Sequence, residues 1–145
     1  MTTIHASAVL VGPRAVLIRG PSGSGKSRLA YAAIQAAETG LIRFARLVGD
    51  DRVHVEPAHG RLLVRPAATL AGLIEIRGLG IRRVPHEPLA AVGLIVDLAA
   101  ADAERMPECF ESSLAGISLP RLPVAPGQDP LPILIAALRM KDSGC

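Results

Sequence analysis

Aromatic side chains are nearly missing from this 145-residue sequence: it has no Trp, one Tyr (Tyr31) and two Phe (Phe44 and Phe110). Its core must therefore be aliphatic, because half of the residues are hydrophobic and few of those are rings. Single-stranded nucleic acid is an unsuitable partner, since its bases are held by stacking on aromatic platforms. Lysine is as scarce. Of 16 basic residues only Lys26 and Lys141 are Lys, and the rest are Arg. A net charge of +3 with no basic run longer than Arg82-Arg83 does not make a DNA-binding surface. It suits an acidic or phosphorylated partner.

Cysteine is limited to Cys109 and Cys145, far apart and without metal-ligand spacing, which fits a reducing compartment. The start, Met1-Thr2-Thr3-Ile4-His5, lacks the charged and apolar regions of a signal peptide. The most apolar stretch, from Leu89 to Ala101, is short and carries Asp97, so no membrane span is expected. These shortages together predict a soluble, cytoplasmic, single domain over residues 1–145, long enough to need no disulfide or metal staple.

Organisation follows from periodicity and breakers. Ile4–Val11 and Ala15–Arg19 are apolar, β-branched runs around Gly12-Pro13-Arg14, which reads as a hairpin. Gly20–Ser27 follows, then a helix from about Lys26 to Ala37 with Leu29, Ala33 and Ala36/Ala37 on its apolar face and Gly40 as stop. Strands are expected at Arg46–Val48, Arg52–Glu56, Arg61–Arg65, Leu73–Ile76 and Ala91–Val96, with a turn at Pro57–Gly60. Pro120, Pro123, Pro126, Pro130 and Pro132 are expected to break up the region before a last helix, from about Pro130 to Met140, capped by Asp129. Strands outnumber helices. The expected fold class is α/β with a mixed sheet and few helices, rather than a regular βαβ alternation.

Gly20-Pro21-Ser22-Gly23-Ser24-Gly25-Lys26-Ser27 matches the Walker A pattern in full, between a strand and a helix as the motif requires. Glycines let the backbone N–H groups of such a loop point inward at phosphate oxygens, and the helix that follows adds its positive end. Lys26 is suited to offset β/γ-phosphate charge and the Ser27 hydroxyl to ligate Mg²⁺, so ATP and Mg²⁺ are the expected ligands.

Three further groups invite attention. Asp50-Asp51 closes the Arg46–Val48 strand, where a carboxylate can orient metal-bound water or accept a proton; Gly-Asp-Asp is also ordinary turn chemistry. Glu75 is a charge in an apolar strand beside Arg77, open to a metal-ligating, charge-balancing or merely solvated role. His5, in an apolar first strand, reads by default as a hydrogen-bonded core histidine. His54, His59 and His86 have no ligand spacing and read as surface residues, and Arg105 as a loop residue.

Taken in order, the Gly20–Ser27 loop, Leu47-Val48-Gly49-Asp50-Asp51-Arg52-Val53 and Ile74-Glu75-Ile76-Arg77-Gly78-Leu79-Gly80-Ile81 resemble the catalytic domain of the HPr kinase/phosphorylase family, and Pro123-Val124-Ala125-Pro126-Gly127 resembles its late Pro-Val-Arg-Pro-Gly segment. The resemblance runs from His5 to the last helix. It implies a kinase that phosphorylates a serine of the phosphocarrier HPr with ATP and Mg²⁺, and in many members the reverse reaction with inorganic phosphate. It implies that Lys26 cradles phosphates, that Ser27 and Glu75 hold the metal, that Asp51 is the proton-transferring carboxylate, and that His5 and Arg105 complete the active site. A homohexamer is the family precedent.

Three departures stand out against the family pattern. The sequence begins at the kinase domain, where relatives carry an additional N-terminal domain, so a catalytic domain standing alone is expected. The segment between the P-loop helix and Asp50 is longer than usual. Ala125 and Gln128 stand where the late segment has arginines, which removes a source of positive charge for the reverse reaction. The competing functions are a P-loop kinase for a small metabolite and a nucleotide-binding regulatory module without catalysis.

Overall fold

A computed structural model describes residues 1–105 and 110–140; Cys109, Lys141 and Cys145 lie outside them. The chain begins with the short strand β1 (Thr2–Ile4), then β2 (Ser7–Val11) and β3 (Arg14–Arg19). Helix α1 (Lys26–Glu38) leads to β4 (Ala45–Gly49), β5 (Val53–Ala58) and β6 (Arg61–Pro66). A 3-10 turn at Ala68–Leu70 precedes β7 (Leu73–Ile76) and β8 (Gly80–Arg83). The chain ends with β9 (Ala90–Asp97), β10 (Glu111–Leu114), β11 (Ile117–Pro123) and helix α2 (Pro130–Arg139). The architecture is the expected mixed α/β one, with two helices among the described residues.

Nine of the strands share one sheet in the order β1-β5-β6-β9-β3-β2-β4, with β10 and β11 attached through β9, while β7 and β8 pair separately. The eight residues of β9 are divided between neighbours. Ala90 and Ala91 pair with β6, antiparallel, and Ile95–Asp97 pair with β11, parallel. The opposite edge of β9 is taken by β3, also parallel, from Ala15↔Val92 to Arg19↔Asp97. β3 and β9 therefore end side by side, and the Gly20–Ser27 loop leaves from this end, where open α/β sheets hold their ligands.

The apolar run of β3 is buried on both faces, as suits a central strand with a parallel neighbour. Val16 and Ile18 face Leu29, Ala30, Ala33 and Ala36 of α1 and Leu134 of α2. Ala15 and Leu17 face the second cluster, with Val53, Val55, Leu62 and Val64 of β5 and β6. Every buried hydrophobic side chain among the described residues is Ala, Val, Leu or Ile, as the aromatic shortage predicts. Removing one of them matters: truncating the fully packed Leu29 to Ala costs about 2–5 kcal/mol in such cores.

Two expectations require correction, and two strands are unforeseen. The run Ile4–Val11 is two strands, because the chain changes partner at His5-Ala6: β1 pairs with β5, and β2 with β3 and β4. Pro120 and Pro123 lie inside β11 instead of breaking it. The Arg121 N–H bonds Phe110 O, on the β10 side, and the Val124 N–H bonds Asp97 O, on the β9 side. Two-residue alternation then turns the Pro123 nitrogen away from β9, where no ladder bond is lost. Finally, β8 and β10 carry no alternating apolar signal, and the four residues of β8 are all exposed. The last helix matches expectation closely, with the Leu131 N–H donating to Asp129 at its N-cap.

Candidate functional site

The Gly20–Ser27 loop opens into a cleft of about 470 Å³ lined by His5, Gly23, Lys26, Ser27, Asp51 and Glu75, with Ser22, Gly25, Arg28, Tyr31, Ile76 and Arg77 completing the wall. Gly23 and Gly25 have φ of 81° and 99°, a region that other residues enter at a cost, and a Cβ on either would meet open space. Glycine is required there by backbone conformation, and the openness leaves the loop's N–H groups accessible. α1 begins at Gly25 without a side-chain cap or an acidic residue in its first turn, so its free N–H groups and dipole face the cleft uncompensated. Lys26 is 7% exposed and donates from Nζ to Gly20 O (3.0 Å) and Pro21 O (3.2 Å). Two of its three N–H bonds brace the loop, and the third remains for an anion. Ser24 Oγ is buried without a hydrogen-bond partner beside Gly20, where an added Cβ would collide with it.

The acid pair is separated by its surroundings. Asp50 is 4% exposed and accepts hydrogen bonds from Ser7 Oγ (2.6 Å), Ser27 Oγ (2.7 and 2.9 Å) and the Glu75 N–H (3.0 Å). One carboxylate thus ties β2, α1, β4 and β7 together under the cleft. Asp51, next in sequence, turns outward with φ 68°, a left-handed conformation uncommon for a residue with a Cβ and frequent at functional sites. Its Oδ1 lies 2.8 Å from His5 Nε2, and both side chains are more than half exposed. The core-histidine alternative for His5 is overturned: the break between β1 and β2 puts its ring into the cleft. His54 is half-buried with Thr3 Oγ1 on its Nδ1, and His86 is half-buried against Gly72, so neither is simply a surface residue.

His5, Lys26, Ser27, Asp51 and Glu75, scattered over 71 sequence positions, are thus brought to one cleft. Asp50 is brought beneath it, and Gly20, Pro21 and Ser24 form the base of the loop. Arg105 is not brought in: it is exposed on the loop after β9 and does not line the cleft among the described residues. Sequence reasoning missed Ser7, Arg28 and Tyr31. For Ser7 a signal existed, a hydroxyl two residues after His5 in an otherwise apolar run.

A second polar cluster sits where β3, β9 and β11 end. Asp97 accepts two hydrogen bonds from Arg19 (2.7 and 2.8 Å) and another from Arg121, which also clasps Asp102 (2.7 and 3.1 Å). Burial pushes the Asp97 carboxyl up, but the hydrogen bonds and charges of Arg19 and Arg121 outweigh it and hold the group below the usual carboxylate range. Asp102 is held low chiefly by its hydrogen bond from Arg121, and the Arg121 guanidinium is pushed further up by the same bond.

The arrangement has counterparts in known proteins. The HPr Serine kinase C-terminal domain model matches residues 1–141. The HPr kinase/phosphorylase of Clostridium tetani is 38% identical over 84 residues, 58% of this chain and 25% of that protein. That of Enterococcus faecalis is 32% identical over 156 residues, 97% of this chain and 48% of that protein. The chain spans between a quarter and about half of these relatives. The structure of the Hpr(Ser) kinase/phosphatase from Coxiella burnetii superposes with a TM-score of 0.77 at 24% identity, covering 96% of this chain and 95% of that one, a likeness of fold. A P-loop on a mixed sheet, an acid pair and a hairpin glutamate over one cleft, and a family match across nearly the whole chain lead to one conclusion: the chain belongs to the HPr serine kinase C-terminal domain family.

Proposed function

We propose that this domain carries the catalytic site of an ATP-dependent protein-serine kinase whose acceptor is HPr or a related phosphocarrier. One observation carries the reading: the exposed His5–Asp51 pair shares a cleft with Lys26 and Ser27 of the phosphate loop. Asp51 accepts the proton of the acceptor hydroxyl as its oxygen bonds to the γ-phosphorus and the bond to the leaving ADP oxygen breaks. His5 holds the Asp51 carboxylate toward the cleft. Lys26 and the N–H groups of the loop and of the first turn of α1 offset charge on the phosphate oxygens. Asp50 acts through Ser27 and the β7 backbone as a positioning residue, not as a reacting group.

The donors present fit Mg²⁺. Ser27 Oγ is fixed by Asp50, and Glu75 adds a hard carboxylate oxygen on the same cleft. No group of three His, Cys, Asp or Glu converges among the described residues, and Mg²⁺ at phosphate sites commonly takes one or two protein ligands plus phosphates. When bound by Ser27 and Glu75 the ion supplies charge neutralisation at the transferred group. The loop after β11 favours the forward reaction, since Ala125 and Gln128 bring no charge and Gln128 Oε1 only accepts from the Ala125 N–H. A role for Arg105 and assembly into a hexamer are carried by the family resemblance, and a cytoplasmic location by the composition; no helix among the described residues is long and apolar enough to cross a membrane.

Mass spectrometry of HPr incubated with the domain, ATP and Mg²⁺ tests the reading. Phosphoserine is expected, and its survival under excess inorganic phosphate would mark a kinase without the reverse activity. Asp51→Asn is expected to slow transfer by about 10²–10⁴-fold while ATP binding persists. Phosphorylation of a small metabolite in place of HPr, or unimpaired transfer by Asp51→Asn, would overturn it.

A further inference from the structure

The hairpin formed by β7 and β8 stands apart from the main sheet and borders the cleft. Its base is anchored: Ile74 is 1% exposed in the core, the Glu75 N–H bonds Asp50, and the Val84 N–H bonds Gly72 O at 2.8 Å. Its outer half is the reverse. Leu79 and Ile81 are 55% and 57% exposed, among the few large apolar side chains in water, and Arg77, Arg82 and Arg83 are exposed beside them. None of these three arginines is in an ion pair among the described residues, whereas Arg19, Arg46, Arg65 and Arg121 are each paired.

The register decides which way this surface looks. Glu75 is directly opposite Ile81, and Leu73 opposite Arg83, so Glu75, Ile81 and Arg83 share one face of the ribbon. Glu75 lines the cleft, hence Ile81 and Arg83 extend the cleft's rim, with Arg77 in its wall and Leu79 at the turn. An exposed apolar pair framed by unpaired cations adds nothing to the core. It is the composition of a binding rim, where arginine and apolar side chains meet a complementary charge pattern.

Resting on the kinase reading, we propose that the β7–β8 hairpin is the docking element for the protein acceptor. It takes a segment in which apolar side chains flanked by aspartate or glutamate adjoin the serine to be phosphorylated. Charge complementarity favours this occupant over a second copy of the hairpin, because face-to-face copies would set arginines against arginines. Seating the acceptor here brings its hydroxyl toward Asp51, since β8, which carries Ile81 and Arg83, pairs with β7, whose Glu75 N–H bonds Asp50.

The test uses purified HPr as acceptor and two variants, Leu79→Ser with Ile81→Ser, and Arg83→Glu. All three side chains are exposed, and circular dichroism with ATP-binding measurements verifies that both variants fold. Each is expected to raise KM for HPr by about tenfold or more while kcat and the KM for ATP stay near wild type. Added salt should raise the wild-type KM and leave the arginine variant's nearly unchanged. An unchanged KM for HPr in both variants, with phosphoserine still formed, would overturn the docking role and leave the kinase reading intact. A wild-type protein that forms no phosphoserine on HPr would overturn both. A fall in molecular mass by light scattering in place of a KM effect would overturn docking by making the hairpin a contact between copies.

Discussion

Two aspartates close two strands of the same sheet, and their partners differ in kind. Asp50, after β4, is held by two hydroxyls and a backbone N–H, all neutral. Asp97, at the end of β9, is held by two guanidinium groups. Hydrogen bonds from neutral donors orient a carboxylate without cancelling its charge, so Asp50 keeps a negative potential beneath the phosphate loop. Lys26, the nearest loop cation, gives its hydrogen bonds to carbonyls. Asp97 is neutralised by its own fold and has nothing left for a ligand. In the proposed reading one carboxylate prepares a site for a cation, while the other fastens the strand ends beside it.

Exchanging each for its amide separates the two. Asp50→Asn is expected to lower phosphotransfer by about 10- to 100-fold and to raise the Mg²⁺ needed for half-maximal rate, as losses behind a metal ligand commonly do. Enzyme assays over a Mg²⁺ titration check it, and a rate change without a shift in Mg²⁺ dependence would break the comparison. Asp97→Asn is expected to lose about 2 kcal/mol of stability, read from urea unfolding, because Arg19 is left without its carboxylate and Arg121 keeps only Asp102. Nucleotide affinity should change little.

Acid sharpens the same contrast. The native Asp97 carboxyl is held below its unfolded value of about 3.9, so the unfolded chain binds more protons between the two. Its contribution is fully present above about pH 4 and is lost as pH falls through the lowered native value. Unfolding midpoints compared at about pH 3 and about pH 6 should therefore fall less in Asp97→Asn than in wild type. The smallest effect is expected from Ser7→Ala, which removes one of the neutral donors to Asp50 at a fully buried position. It should cost about 1 kcal/mol of stability and shift the Mg²⁺ dependence in the same direction as Asp50→Asn, by less. A shift in stability alone would make Ser7 a packing residue.

Much of this was readable before any coordinate. The P-loop, α1 and the capped α2 are local: glycine spacing, 3.6-residue periodicity and an N-cap aspartate act over a few neighbouring residues. The aliphatic core followed from composition, since with three aromatic residues no other was available. The proline-bearing β11 was not legible, because a proline is harmless or ruinous according to which edge its nitrogen faces. That is decided by β9 and β10, neither of them adjacent to it in sequence. β8 was missed for a related reason, as it buries nothing and its pattern is silent.

The site divides along the same line. Asp50 and Asp51 are identical in type and adjacent, and no local rule tells them apart. A left-handed turn at Asp51 sends one into the hydroxyls of Ser7 and Ser27 and the other to His5. His5 reads from its own strand as a core residue and from the family resemblance as an active-site one, and the change of strand partner at His5-Ala6 puts it in the cleft. What the amino-acid order determined alone was the phosphate loop, its flanking elements and the chemical identity of the acids. Tertiary structure decided which acid is buried, which is exposed, and which arginines are left unpaired at the rim. The reason is physical: a loop's conformation is set by its own dihedrals, whereas a carboxylate's role is set by the donors around it, and those come from strands far away in the chain.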